Sequence, residues 1–199
     1  MMNILKNPRI KKVLLIDPAF PASRKSRNHR DLLPVGLLKI GAYYRNQGVI
    51  TKLIRLNKEE DFESEIKKFK PDLVLITSVF TYWSKQVKEA VEYSKRLLPA
   101  VPVVVGGVFA SLLPEKCKSY TGCDYVQEGI FPEAECIPPD YSLLGEDEKE
   151  IDYQIIHSTR GCIRKCGFCG VYKIEPDHRR IILNNDTTIL IDSIKSIII

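Results

Sequence analysis

The sequence predicts an α/β fold built on a doubly wound parallel sheet, and three observations support this prediction. Short β-branched runs alternate with longer amphipathic segments from residue 11 to residue 130. The third run, residues 72–78, is almost continuously apolar, which is typical of a central strand covered by helices on both faces. Hydrophobic residues make up 44% of the 199-residue chain and charged residues 28%, so a buried core is expected.

Five strands and four helices are predicted in this region. The strands are residues 13–16, 50–56, 72–78, 103–105 and 124–126. The helices between them are residues 36–48, 59–70, 87–98 and 110–119. The first helix has apolar residues at Leu37, Ile40 and Tyr44, which lie on one face because their spacing is i, i+3 and i+7. Gly106 and Gly107 close the fourth strand.

The remaining third of the chain has a different character. Residues 131–151 contain three prolines and an acidic run without a regular apolar period, so we predict a linker there. A strand at residues 153–158 and a second β-like run at residues 180–183 follow. Asp186 is suited to begin a final helix, and this helix ends in three isoleucines without a capping residue. We therefore expect the chain to be a truncated form of a longer protein.

Composition excludes several classes of function. The net charge of +5 comes from cations spread along the chain, and their densest run, residues 24–30, has no interleaved aromatic residues, so nucleic acid binding is not indicated. No apolar stretch is as long as a membrane span, and residues 1–12 do not have the pattern of a signal peptide. We expect a cytoplasmic protein, in which six cysteines serve as ligands or buried thiols rather than as disulfides.

Three cysteines in one short segment indicate a metal site. Cys162, Cys166 and Cys169 are separated by three and then two residues, so a compact loop brings them together. Clustered thiolates suit iron–sulfur clusters or zinc. Zinc usually takes four protein ligands in a structural site, and no fourth cysteine or histidine lies at a matching spacing. The other cysteines, Cys117, Cys123 and Cys136, have no such spacing and are predicted to be buried or linker thiols.

The cysteine loop resembles the signature of the radical S-adenosylmethionine (radical SAM) superfamily. The resemblance rests on the Cys-x3-Cys-x2-Cys spacing, on Phe168 just before the third cysteine, and on Thr159-Arg160-Gly161 before the first. It implies a [4Fe–4S] cluster held by Cys162, Cys166 and Cys169, with SAM chelated to the open iron and Phe168 beside its adenine. Reductive cleavage of SAM to methionine and a 5′-deoxyadenosyl radical would follow, with electrons from a donor such as flavodoxin or ferredoxin.

The front domain resembles the cobalamin-binding (vitamin B12) domain that precedes the catalytic barrel in one branch of that superfamily. The resemblance rests on Pro34-Val35-Gly36-Leu37, on Ser78-Val79-Phe80 and on Gly106-Gly107. It implies a flavodoxin-like, Rossmann-like domain over residues 11–130 that contacts cobalamin through Ser78, Gly106 and Gly107. Residues 152–199 would then form the first βα portion of a partial radical SAM barrel. The first loop lacks the Asp-x-His-x-x-Gly motif, because the residue three positions after His29 is Leu32.

The sequence is therefore interpreted as the N-terminal part of a radical SAM enzyme, with cobalamin-assisted methyl transfer among its reactions. Its small-molecule substrate is not indicated by any residue of this chain, and we expect the chain to be inactive by itself. One alternative is a non-enzymatic iron–sulfur or zinc module on an α/β domain. A second alternative is a nucleotide-binding regulator, although the first strand is not followed by the Gly-x-Gly-x-x-Gly turn of dinucleotide-binding domains.

Overall fold

The structure is a computed structural model that describes residues 4–18, 20–21, 32–56, 62–150, 153, 155, 159–164, 166–175 and 179–182. Its centre is a five-stranded parallel sheet. The strands are β1 (Lys12–Asp17), β2 (Ile50–Arg55), β3 (Leu73–Ser78), β4 (Val103–Gly107) and β5 (Tyr125–Gln127). Their order is β2-β1-β3-β4-β5, which places β3 in the centre of the sheet as predicted. This order is typical of flavodoxin-like doubly wound folds.

Seven helices are present among the described residues. They are α1 (Val35–Asn46), α2 (Glu63–Phe69), α3 (Ser84–Leu97), α4 (Val108–Leu112), α5 (Pro114–Thr121), α6 (Pro132–Glu135) and α7 (Val171–Ile174). Short 3-10 segments cover Ile4–Lys6, Thr81–Trp83 and Tyr141–Glu150. No helix within the described ranges is long and apolar enough to cross a membrane.

Alternate residues of each strand pack on opposite faces of the sheet, because side chains along a strand alternate in direction. On one face, Val13, Leu75 and Val104 pack under α1, α6 and the segment Tyr141–Glu150. On the other face, Leu14 and Ile76 pack with other strand residues under α2, α3, α4 and α5. Both faces of the sheet are therefore covered, which explains the continuous apolar run of β3.

The predicted helix at residues 110–119 is two helices in the structure. α4 ends at Leu112 and α5 begins at Pro114, with Leu113 between them at φ −138° and ψ 60°. The proline ring disfavours helical backbone at the preceding residue, and proline is well suited to the first turn of a new helix. The single-helix prediction was wrong because the apolar period continued across this break.

The segment predicted as a linker, residues 131–151, packs on the core instead of running free of it. It contains α6 and a 3-10 segment that Gly145 interrupts at φ 62°. Four of its apolar residues are buried on the α1 face: Phe131, Ala134, Leu143 and Leu144. The end of the Leu143 side chain occupies the space that a Cβ on Gly41 of α1 would fill. The segment thus covers part of the α1 face of the sheet.

After this segment, β6 (Thr159–Gly161) pairs antiparallel with β7 (Arg179–Ile182). β7 corresponds to the β-like run predicted at residues 180–183. Of the strand predicted at residues 153–158, only Tyr153 and Ile155 are described, and neither is in a strand. A βα-barrel unit would place successive strands parallel. The antiparallel pair β6–β7 is therefore not itself such a unit, and the barrel stays a prediction. The helix predicted from Asp186 lies outside the described residues.

Candidate functional site

A cavity of about 310 Å³ lies beside the carboxyl ends of β3 and β4, on the α1 face of the sheet. Its walls are mostly apolar and include Leu37, Ile40, Leu75, Val104, Phe131 and Ala134. Ligands of open parallel sheets bind at this edge, and a volume near 300 Å³ lies at the lower end of the range for small-molecule sites. The position and size of this cavity therefore make it the candidate binding site.

Glycines open the cavity where β4 ends. Gly106 and Gly107 both line it, as does Gly36 at the start of α1. A Cβ on Gly106 would contact only Gln127, at ordinary van der Waals distances of 3.7 and 3.8 Å, and a Cβ on Gly36 would contact nothing within 4 Å. Packing of the protein therefore does not require glycine at either position. Their small size instead keeps space free beside the cavity, which suits the close approach of a ligand to the backbone.

Gly107 has a different role, because its backbone passes close to Ser78 of β3. Its φ is +98°, and a Cβ there would lie 2.2 Å from the carbonyl oxygen of Ser78. Ser78 is 1% exposed and is not among the cavity-lining residues. Its hydroxyl donates a hydrogen bond to the carbonyl oxygen of Gly106 and accepts one from the N–H of Ala110. Ser78 thus supports the cavity wall from behind, and its predicted contact with cobalamin stays a prediction.

A cluster of four charged residues forms the polar wall of the cavity: Lys39, Glu135, Arg160 and Glu175. We call these four residues the charged wall. Arg160 binds Glu135 through two nitrogens, with Nε–Oε1 and Nη2–Oε2 distances of 2.5 and 2.8 Å, and its Nη1 binds Glu175 at 2.7 Å. The ammonium group of Lys39 donates to the carbonyl oxygen of Glu135. Two cations and two carboxylates balance each other in this wall.

Burial and pairing shift the pKa values of both cations of the charged wall. Loss of solvent lowers the pKa of Lys39, although the nearby Glu135 carboxylate partly opposes this effect. For Arg160, loss of solvent alone would lower the pKa, but the hydrogen bonds to Glu135 and Glu175 raise it overall. Arg160 therefore stays charged, and its charge requires both carboxylates as partners.

The structure places the three cysteines of the loop near the surface. Cys162 is exposed, and Cys166 and Cys169 are half-buried. The N–H of Cys169 donates to the carbonyl oxygen of Cys166 at 3.0 Å, and the N–H of Arg164 donates to the sulfur of Cys162 at 3.4 Å. Backbone N–H groups make contacts of this kind with the cysteine sulfurs of iron–sulfur sites. In the described parts of the chain, no three Cys, His, Asp or Glu side chains are grouped so that they could hold a metal ion.

The roles assigned to the cysteine loop from sequence therefore stay predictions. Cys162, Cys166 and Cys169 share one loop, but their side chains are not gathered around a common point. Phe168 is 95% exposed, so its predicted position beside adenine is not tested either.

Two other cysteines, Cys117 and Cys123, are buried as predicted, whereas Cys136 is exposed. The Cys117 and Cys123 thiols lie close enough to share a hydrogen bond. That bond lowers the pKa of Cys123 to about 6 and raises the pKa of Cys117. The hydroxyl of Thr121 adds to the lowering of the Cys123 pKa and partly opposes the rise of the Cys117 pKa. These two thiols belong to the core on the face of the sheet opposite α1, and neither of them lines the cavity.

Sequence reasoning missed the charged wall. Lys39 lies within the apolar face of α1 and Glu135 within the predicted linker, and neither position carries a motif. The usable signal was Lys39, because a lysine between buried helix positions usually needs an anionic partner. Sequence reasoning also missed the buried ion pair of Asp17 with Arg55 at the carboxyl end of β1, in which Nε and Oδ2 are 3.1 Å apart.

The fold and the cavity together define an α/β ligand-binding domain with its site at the carboxyl edge of a parallel sheet. Comparison with protein families shows a match to the B12 binding domain over residues 28–136, which is more than half of the chain. The chain belongs to the B12-binding domain family. The prediction of a cobalamin-binding domain is thereby confirmed. The match ends before the cysteine loop.

Two solved structures are among those that resemble parts of this chain. One is a novel cobalamin-binding protein from Desulfitobacterium hafniense DCB-2, with a TM-score of 0.44, 18% identity and coverage of 60% of this chain. The match covers 53% of that protein, so this chain spans about half of its length. The other is a response regulator from Burkholderia multivorans, with a TM-score of 0.37, 14% identity and coverage of 74% of this chain and 99% of that one. No curated protein matches this chain.

Proposed function

We propose that this chain binds cobalamin at the carboxyl edge of its sheet and carries beside it an iron–sulfur loop for radical SAM chemistry. One observation carries the proposal: the cavity is lined both by the region that matches the B12-binding family and by Arg160, Ile174 and Glu175, which flank the cysteine loop. Two cofactors bound at these places would be close neighbours. Cobalamin-assisted methyl transfer is the reaction class that this neighbourhood favours.

The size and lining of the cavity suit one part of cobalamin. A volume of about 310 Å³ is too small for the corrin ring but is suited to the nucleotide-like tail. The apolar wall of Leu37, Leu75 and Phe131 would pack on the aromatic base of the tail. Gly106 and Gly107 would let the backbone approach the ligand closely. When bound, cobalamin would supply a cobalt centre for methyl transfer, and the residues of this chain would hold and orient it.

The first loop of this chain is not expected to supply a histidine ligand to cobalt. The first loop has no Asp-x-His-x-x-Gly motif, and His29 within that loop is outside the described residues. Hydroxocobalamin bound to this chain should therefore show an absorption spectrum without histidine coordination.

The iron–sulfur part of the proposal rests on the donor set of the loop. Three cysteines with one hydrogen bond from the Arg164 N–H to the Cys162 sulfur suit thiolate ligation of iron. Three ligands of a cubane cluster would leave one iron for the amino and carboxylate groups of SAM. Zinc on the same thiols, in a module without enzyme activity, is the alternative that metal analysis separates.

The test of cobalamin binding uses Gly106, whose side-chain position faces the cavity. Hydroxocobalamin should stay with the wild-type protein through gel filtration. Gly106→Leu should weaken this binding by about tenfold or more, and Gly106→Ala by less, because the larger side chain fills the cavity. Dicyanocobinamide, which lacks the nucleotide tail, should bind equally to all three proteins. Loss of hydroxocobalamin from a folded wild-type protein would contradict the proposal.

The test of the iron–sulfur site is anaerobic reconstitution followed by metal and sulfide analysis. We expect about four irons and four sulfides per chain together with a broad charge-transfer band. Stoichiometric zinc without sulfide would instead support the non-enzymatic module.

A further inference from the structure

The cysteine loop is fixed to the α/β domain at both of its ends. Before the loop, Arg160 of β6 binds the carboxylate of Glu135 in α6 at two points. After the loop, Gly170 packs so closely on α4 that a Cβ there would lie 2.9 Å from Cδ2 of Leu112. Arg160 also binds Glu175, 15 positions further along the chain. One guanidinium group therefore joins both ends of the loop to each other and to the α/β domain.

The same contacts complete the cavity. Arg160, Ile174 and Glu175 all line it, so part of its wall comes from the segment that carries the cysteines. The Arg160 and Glu175 side chains are 19% and 12% exposed, and their partner Glu135 is 10% exposed. Buried charges of this kind are stable only when all partners are in place. Separation of the loop from the domain would expose the cavity and leave the Glu135 carboxylate without Arg160.

We propose that Arg160 is a positioning residue that couples occupancy of the cavity to the position of the cysteine loop. A ligand in the cavity contacts the wall made by Arg160, Ile174 and Glu175, so it stabilises the docked loop. Coupling of this kind is reciprocal, so a group bound by the docked loop strengthens ligand binding in the cavity by the same factor. The inference rests on the proposed function because it takes cobalamin as the ligand of the cavity.

A purely structural ion cluster would behave differently. Its loss would change the stability of the loop equally in the filled and in the empty protein. The ratio of the cleavage rates without and with ligand would then stay the same. The informative measurement is therefore how much the ligand slows proteolysis of the loop. The rate of proteolysis without ligand does not by itself separate the two possibilities.

Trypsin provides this measurement because Arg164, Lys165 and Lys173 lie in or beside the loop. In the metal-free 199-residue chain with reduced thiols, saturating hydroxocobalamin should slow cleavage at these three sites by about fivefold or more. Glu175→Gln keeps the Arg160–Glu135 pair but removes the link across the base of the loop. With the hydroxocobalamin concentration raised until this variant is also saturated, we expect it to lose most of the added protection. Cleavage sites are assigned by mass spectrometry.

Two further variants make the result decisive. Glu89→Gln makes the same change in an exposed pair with Lys85 on α3, and it should keep the full added protection. Arg160→Lys keeps the charge but cannot bind Glu135 at two points, so it should lose the added protection as Glu175→Gln does. It replaces Glu175→Gln in the experiment if that variant does not fold. If hydroxocobalamin binds without slowing trypsin cleavage, or slows it equally in wild type and in the variant tested, the coupling is wrong. The proposed cobalamin binding would still stand in both cases. Failure of the wild type to bind hydroxocobalamin would overturn the proposed function and the coupling with it.

Discussion

The hydroxyl group of Ser78 donates a hydrogen bond of 2.6 Å to the carbonyl oxygen of Gly106 on the neighbouring strand. The same oxygen of Ser78 accepts a hydrogen bond from the N–H of Ala110 in the first turn of α4. This buried hydroxyl therefore joins β3, β4 and α4 directly behind the cavity.

Ser78→Ala should lower the free energy of unfolding by about 1–3 kcal/mol, because it leaves the N–H of Ala110 without this partner in the core. Denaturant unfolding followed by circular dichroism measures the change. Ser94→Ala is the matched control, since Ser94 is equally buried but donates only to the carbonyl of Ala90 within its own helix. Its loss should be smaller. Equal losses in the two variants would show that Ser78 has no special role in joining the strands.

Gly107→Ala should be more damaging than Gly122→Ala. Both glycines have positive φ, at +98° and +73°, but a Cβ on Gly122 would contact nothing within 4 Å. The change at Gly122 should cost about 1–2 kcal/mol, which is the cost of left-handed backbone alone. At Gly107 the Cβ would also collide with the backbone of Ser78, so we expect a larger loss of stability. The measurement is the midpoint of denaturant unfolding, and similar midpoints would contradict the close approach of β4 to β3.

The raised pKa of the Asp17 carboxyl group should make the free energy of unfolding depend on pH. Burial raises its pKa from 3.8 to about 6, although the hydrogen bond from Arg55 opposes this effect. Between these pH values the folded protein keeps a proton that the unfolded chain has released, so stability falls as the pH rises through this range. Asp17→Asn cannot titrate. The free energy of unfolding of Asp17→Asn minus that of wild type should therefore increase by about 2 kcal/mol between pH 4 and pH 7.

Asp124 provides a control of opposite sign. Burial alone would raise its pKa, but hydrogen bonds from Lys95 and from the N–H of Val103 lower it overall. This carboxylate stabilises the fold above its ordinary pKa, and the stabilisation is lost as the pH falls. The difference between Asp124→Asn and wild type should therefore change in the direction opposite to that for Asp17→Asn. Curves of the same sign for both variants would contradict the assignment for Asp17.

The ligand assignment in the cysteine loop predicts which thiols matter for iron. Alanine at Cys162, Cys166 or Cys169 should abolish the reconstituted cluster, because a cubane cluster with two protein ligands is not retained. Alanine at Cys117 or Cys123 should leave iron and sulfide content unchanged, since Cys117 of α5 and the nearby Cys123 are both buried in the core of the α/β domain. Iron and sulfide are measured per chain after anaerobic reconstitution. Loss of iron in Cys117→Ala as complete as in Cys162→Ala would refute the assignment.

Local pattern was enough to predict the sheet. Three features of the sequence reflect local or uniformly apolar surroundings, which a sequence pattern can show. They are the apolar run of β3, the alternation of strands and helices, and Gly106-Gly107 at the end of β4. The strand positions and the central place of β3 followed from these features. The cobalamin-binding family was indicated by a resemblance at residues 34–37, 78–80 and 106–107. The cysteine spacing was visible for the same reason, because its residues lie within one short loop.

Only the tertiary structure decided how the rest of the chain uses this sheet. Phe131 and Leu143 are core residues although their segment has no regular apolar period, because irregular segments bury single side chains wherever the sheet leaves space. The charged wall joins Arg160 to Glu135 over 25 positions and Lys39 to Glu135 over 96. Pairings over such distances leave no periodic trace in a sequence. Sequence therefore determined the α/β domain and the cysteine loop, and the folded chain determined that they share one cavity wall.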